Sequence, residues 1–328
     1  MVKRKFGLVA VGDALVDVLV HMDTLPAGMK KGGMTLVDRA QASAFYDQIG
    51  PGLEMSGGSA ANTLSGFVSF GGAGAFIGKV ADDQLGEIFK HDLEAQGIAY
   101  QVVPYSGTEE ETGRSMIVIT PDGERSMNTY LGANGSFSPD DIDEGLIAQG
   151  SIVLLEGYLF DKPEAKAAFM KAAAAAKAAG TKVAFTLSDA KCVERHHADF
   201  VNLVDNYVDI LFANEKEIKA LTMKSDFNDS AAVIRGRCET VVLTRGSQGA
   251  LIVAADGSDY KIDPVKPEKL EDTTGAGDAF AAGVLYGLSE GMNPAQAGSL
   301  GARAASLTIS HIGARSPDVK FSKLLCNL

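Results

Sequence analysis

Residues 272–280, DTTGAGDAF, concentrate the groups best suited to chemistry. Gly275, Ala276 and Gly277 have almost no side chain, so consecutive N–H groups there can approach the oxygens of an anion. The apolar run that follows, through Tyr286 and Leu288, predicts a helix starting at this turn, and its dipole adds favourable potential for a phosphate. Asp278 falls in the first turn, where a carboxylate can take the proton of an attacking hydroxyl while the amides stabilise a transferring phosphoryl group. Taken alone, the same residues also suit a tightly packed helix start with an acidic first turn.

Other phosphate signatures fail where they can be tested. A Walker-type loop around Gly78-Lys79 would need Gly at Ala73 and Ser or Thr at Val80. A dinucleotide fingerprint fails because Gly12 is followed by Asp13 and Ala14, and Gly72-Ala73-Gly74 by Ile77.

The elements that must hold such a turn can be read from periodicity. Residues 6–12 form a short apolar run closed by Gly, as in a buried parallel strand, and 15–20, broken by Asp17, predicts a half-exposed strand. Strands at 34–38, 116–120 and 126–131, the last two flanking Pro121-Asp122-Gly123, suggest a small β-sheet split in sequence. From Ser138-Pro139, expected to start a helix, strands and helices alternate: strands at 152–155, 182–185, 210–213, 240–244 and 250–254, helices at 162–179 and 215–221, and two closing helices. The fold class expected is α/β, a mainly parallel central sheet flanked by helices on both faces, with a small β-sheet lid. Residues 1–13, 51–100 and 132–328 are assigned to the large unit and 14–50 with 101–131 to the lid. Ligands then belong beyond the carboxyl ends of the strands, in the loops after Gly12, Leu155, Ala213 and Thr244.

Bulk properties bound the partners. A chain of 328 residues, 46% hydrophobic, can bury a large core, and its net charge of -12 disfavours nucleic acid as a partner. Cys192, Cys238 and Cys326 lie far apart, as reduced, incidental thiols do. His196-His197 reads as a solvated loop and 109–111 as an exposed turn. No run reaches the roughly 20 apolar residues needed to cross a bilayer, so no membrane role and a cytoplasmic location are expected.

With DTTGAGDAF near the C-terminus and SGGSAANT at 56–63, the sequence resembles the ribokinase-like (PfkB) family of carbohydrate and nucleoside kinases over nearly its whole length. The resemblance implies transfer of a phosphoryl group from ATP, with Mg2+, by Asp278 as base and the amides of 275–278 as anion hole. Asp13, Asp17, Gly57, Gly58 and Asn62 match sugar-binding positions. Asn214 and Glu217 match an Asn-x-x-Glu element associated with phosphate and hydrated magnesium, although the pair alone could be helix capping. Thr244, Gly246 and Gly249 resemble a nucleotide loop, whose sequence alone also fits a hairpin turn. Asp272, Thr274, Thr308, His311 and Gly313 fall where relatives that use a monovalent cation such as K+ place its ligands.

Ser59 stands where ribokinases carry Lys, and GERSMNTYLGAN at 123–134 resembles the lid of members that phosphorylate adenosine. Tyr158 is placed like an aromatic that stacks on the base, although a Tyr at a strand end is also ordinary core rim. The resemblance therefore implies adenosine as acceptor, giving AMP, with fructose, ribose or another nucleoside as alternatives and a non-catalytic sensor as a further one. A homodimer is compatible with the chain.

Overall fold

The computed structural model describes residues 4–100, 103–107, 109–122, 124–315 and 320–327; the expected turn residue Gly123 lies outside them. The N-terminal part builds two sheets at once. β1 (Phe6–Val11) enters one, and β2 (Leu15–His21) and β3 (Gly33–Leu36) enter another. Then come α1 (Arg39–Ile49), β4 (Leu53–Gly57), α2 (Ser59–Ser69) and β5 (Gly74–Ile77). α3 (Gln84–Ala95), β6 (Ala99–Tyr100) and the hairpin of β7 (Gly113–Ile119) and β8 (Arg125–Tyr130) complete this part.

Alternation follows, as the sequence predicts: α4 (Glu144–Ala148), β9 (Gly150–Glu156), α5 (Pro163–Ala179), β10 (Lys182–Thr186), α6 (Ala190–Arg195) and α7 (His197–Asn206). Next are β11 (Ile210–Asn214), α8 (Glu215–Thr222), α9 (Phe227–Ile234), β12 (Thr240–Thr244), β13 (Ala250–Ala254) and β14 (Asp259–Ile262). α10 (Ala276–Ser289) and α11 (Pro294–Thr308) finish the large unit.

The large sheet runs β14-β13-β12-β11-β10-β9-β1-β5-β6, parallel except where β13 pairs with β12 and β14. Phe160, Phe169, Phe185 and Phe200 pack on one face, and Phe67, Phe76, Phe89 and Leu285 on the other. The Ala-rich α5 is a packing helix: Pro163 opens it, Gly180 at φ 64° ends it, and Ala168, Ala172 and Ala176 are buried. α10 is placed by an unusually close crossing with α11, where a Cβ on Gly283 would lie 2.6 Å from the Gly301 backbone.

Four expectations change. Residues 53–57, assigned to the large unit, pair with β2 in the small sheet, whose order is β3-β8-β7-β2-β4. β2 is buried from Leu15 to Val20 and not half-exposed, because α1 covers one face while the other looks into the cleft. Ser138-Pro139 opens only a 3-10 turn (Pro139–Asp141), with α4 beginning later. Of the 109–111 turn, Glu109 is exposed as expected, whereas Glu110 and Glu111 are half-buried, accepting from Tyr130 and Arg39.

Candidate active site

A cavity of about 430 Å³ opens beyond the carboxyl ends of β9, β10, β11 and β12, beneath the small sheet. The turn at the start of α10 forms one wall. Gly275 is required there twice over, since its φ is 71° and a Cβ would fall 2.5 Å from the Ala314 methyl. A Cβ on Gly277 would meet nothing within 4 Å, so Ala276 and Gly277 present their backbone to open cavity.

Asp278 lines the same wall and is gripped by both oxygens. Ser59 Oγ donates to Oδ1 at 2.6 Å and Asn62 Nδ2 to Oδ2 at 3.1 Å. Burial raises its pKa, opposed by these two hydrogen bonds and by the charges of Arg315 and Arg125.

The opposite wall is acidic. Asp13 lines the cavity, is 3% exposed, and has a buried Oδ1 with no hydrogen-bond partner among the described residues. Burial, then the charge of Asp161, pushes it up to about 7. Asp17 is likewise pushed up to about 7 by burial, with Arg315 the largest opposing influence. Glu156 ends β9 beside them, accepting from Ala60 N at 2.8 Å, and burial with the nearby Asp13 holds its proton well above the ordinary carboxylate range.

The glycine pair acts differently from expectation. A Cβ on Gly57 would land 2.4 Å from the Asp17 carboxylate, so Gly57 makes room for Asp17 and does not line the cavity. Gly58 does line it, at φ 90°, packed against the Asp13 carbonyl. Asn62 reaches the cavity, but its amide is engaged by Asp278 on one side and by Arg315 Nε, at 2.8 Å, on the other. Tyr158 stands on the 3-10 turn after β9 and lines the outer part, with Asp161.

Asn214, Glu217 and Thr244 line the end under β11 and β12. Asn214 and Glu217 do form a reciprocal cap of α8, and burial pushes Glu217 up to about 7. Gly246 and Gly249 are not on the cavity wall; both sit at positive φ, shaping the turn after Thr244. Of the supposed cation set, Asp272, Thr274 and Gly313 come together: Asp272 Oδ1 accepts from Thr274 N and Oγ1, and Oδ2 from Gly313 N. Thr308 and His311 line a separate small cavity behind α10 with Gly313. Asp272 also faces Arg125 Nε at 3.4 Å, and the Thr308 carbonyl accepts from His311 N.

Sequence reasoning missed the two arginines. Arg125, on β8, donates to Thr274 Oγ1 at 2.8 Å, so the small sheet reaches the anion turn itself. Arg315 lies behind Asp278, and its partners Asn62 and Ser56 are 253 and 259 positions away, beyond any local pattern. His196-His197 is no solvated loop: His196 bonds Asp161 at 2.7 Å and His197 the Leu221 carbonyl at 2.9 Å. Asp161, Cys192 and His196 do converge within 4.8 Å, with Cys192 and His196 one helical turn apart, but Arg195 already forks onto the Asp161 carboxylate. That set reads as an ion pair anchoring the Tyr158 turn.

An amide cradle at a helix start, with a buried carboxylate in its first turn and an acidic cleft opposite, defines a small-molecule kinase site. The chain matches the pfkB family carbohydrate kinase model over residues 53–320, and it belongs to that family. It is 40% identical to the solved structure of adenosine kinase from Sinorhizobium meliloti, with a TM-score of 0.92, covering 98% of this chain and 99% of that one. It is 30% identical to a 5-dehydro-2-deoxygluconokinase from Clostridium beijerinckii, covering 90% of this chain and 89% of the relative. Adenosine kinase from Saccharomyces cerevisiae is 28% identical, with 96% and 98% covered. Among the described residues no helix is long and apolar enough to cross a membrane.

Proposed function

We propose that this kinase transfers the terminal phosphoryl group of ATP to the 5′-hydroxyl of adenosine, releasing ADP and AMP. The observation that carries the choice of acceptor is the charge of the cavity. Asp13, Asp17, Glu156 and Asp161 line its acceptor side, and Arg125, at the anion turn, is the one Lys or Arg among the described lining residues. A gluconate-type acid, which the name of the Clostridium relative indicates, would bring a carboxylate to a wall of carboxylates whose one lining cation, Arg125, already faces Asp272. A neutral diol suits the Asp13 and Asp17 carboxyl groups on the wall, and Leu36, Ile117, Met127 and Leu131 offer an apolar roof for a ring near Tyr158.

In the reaction, the acceptor oxygen forms a bond to the γ-phosphorus as the bond to the ADP oxygen breaks, and the hydroxyl proton passes to Asp278. Ser59 and Asn62 orient that carboxylate, while the backbone of 275–278 and Arg125 meet the equatorial oxygens. Asn214 and Glu217 fit magnesium through water, since both Glu217 oxygens already accept from Asn214, and the ion would neutralise the phosphates of ATP.

The test is ATP turnover with adenosine, inosine, cytidine, ribose, fructose and a gluconate-type acid offered singly, with product identified by phosphorus NMR. Adenosine should give the highest kcat/KM. Preference for the sugar acid would sink the acceptor assignment while leaving the kinase intact, and ligand binding without product would favour a sensor.

A further inference from the structure

Behind the reacting groups, bonded to Asn62 but not itself lining the cavity, lies a guanidinium. Arg315 Nε donates to Asn62 Oδ1 at 2.8 Å, and Nη1 donates to Ser56 Oγ on β4 of the small sheet. Its Nη2 is buried and has no hydrogen-bond partner among the described residues. A buried cation left partly unsatisfied is held there by its surroundings, here Asp17, Asp92 and Asp278, which converge on it from β2, α3 and α10.

An asparagine amide has two orientations of nearly equal shape, and the neighbours decide between them. Donation from Arg315 fixes the Asn62 oxygen on the inner side, so its NH2 must point at Asp278. Turned the other way, the amide would set an oxygen against the carboxylate.

We infer that Arg315 is the positioning residue for the catalytic carboxylate: it locks the Asn62 amide so that Asp278 keeps one oriented acceptor oxygen for the substrate hydroxyl, and ties that assembly to the small sheet through Ser56. The inference rests on Asp278 being the base. The groups facing Asp278 are Ser59 and Asn62 of α2, Asp17 of β2, Arg125 of β8, Glu156 of β9 with Tyr158 beyond it, and Arg315. Arg315 and Arg125 are the cations among them, so removing Arg315 tips the balance toward the protonated acid.

The experiment compares wild type, Arg315→Gln, Arg315→Lys, Asn62→Ala and the Arg315→Gln/Asn62→Ala double variant, with adenosine and ATP. Arg315→Gln should lower kcat about 10- to 100-fold with the KM for ATP unchanged, and move the acid limb of the kcat profile up by about one pH unit. Arg315→Lys, which keeps the charge, should recover part of both. Because the two residues act in series, the double variant should be no worse than the poorer single one. An unmoved acid limb in folded Arg315→Gln, or losses that multiply in the double variant, would overturn the inference. Should Arg315→Gln not fold, Arg315→Met is read in its place: an unmoved acid limb, or losses that multiply when it is combined with Asn62→Ala, rejects the relay. Failure of the base assignment is separate and shows as near wild-type turnover in Asp278→Asn.

Discussion

Ser59 Oγ sits 2.6 Å from Oδ1 of Asp278, joining residues 219 positions apart in the chain. The contact orients the carboxylate toward the cavity and, by favouring its charged form, opposes the burial that raises its pKa. Asp278→Asn keeps the shape of the side chain and the helix start but cannot accept a proton from the hydroxyl. Turnover should fall about 10²- to 10⁴-fold, with adenosine binding by calorimetry within a few-fold of wild type. A near-normal rate would remove Asp278 from the mechanism.

Asp17 should make the ligand-free protein's stability depend on pH. Its folded pKa, pushed up to about 7, exceeds the ordinary 3.8, so the folded state holds the proton more tightly than the unfolded chain. That stabilisation is complete below about pH 4 and is lost as pH rises through about 7. Asp17→Asn removes the buried charge, so its advantage in unfolding free energy over wild type should be small at pH 4 and on the order of 1–4 kcal/mol at pH 8. An advantage equal at both pH values would show that burial does not govern this group.

The crossing of α10 and α11 predicts a cost far from any reacting atom. Gly283→Ala would force a methyl to within 2.6 Å of the Gly301 backbone, and separating the helices should destabilise the fold by roughly 1–3 kcal/mol in urea unfolding. An unchanged midpoint would mean that the helices part without penalty.

Thiol labelling separates the cysteines by burial. Cys192 and Cys238 are buried and their thiols pushed up to about 12, whereas Cys326 is exposed. A disulfide reagent at pH 8 should modify one thiol quickly and the other two only after denaturant is added. Rapid reaction of all three would contradict that packing.

Much of this could be read from the chain because it is local. The anion turn, Asp278, and the change of sheet at Asp13 are properties of a few consecutive residues, and the alternation after residue 138 follows from periodicity. Gly57 and Asn62 were legible as site residues but not in role, since the reasons lie in the Asp17 carboxylate and in Arg315 across the fold. β2 looked half-exposed because Asp17 interrupts its apolar pattern; burial of that carboxylate is a tertiary fact that no periodicity encodes. Ser59 and Arg125 stood inside motifs already noticed, yet each gains meaning only from Asp278 and Thr274, which the sheets bring within reach.

The small sheet carries α1 on its back: Ala42, Phe45 and Ile49 cover Val18, Val20, Met116 and Val118. This clasp therefore has an oily interior of its own and needs no second chain to keep that side dry. Its polar ties to the large unit include Arg125 on Thr274 and Asp272, and Ser56 with Asp92 and Arg315, so the clasp is fastened at the anion turn and again behind Asp278.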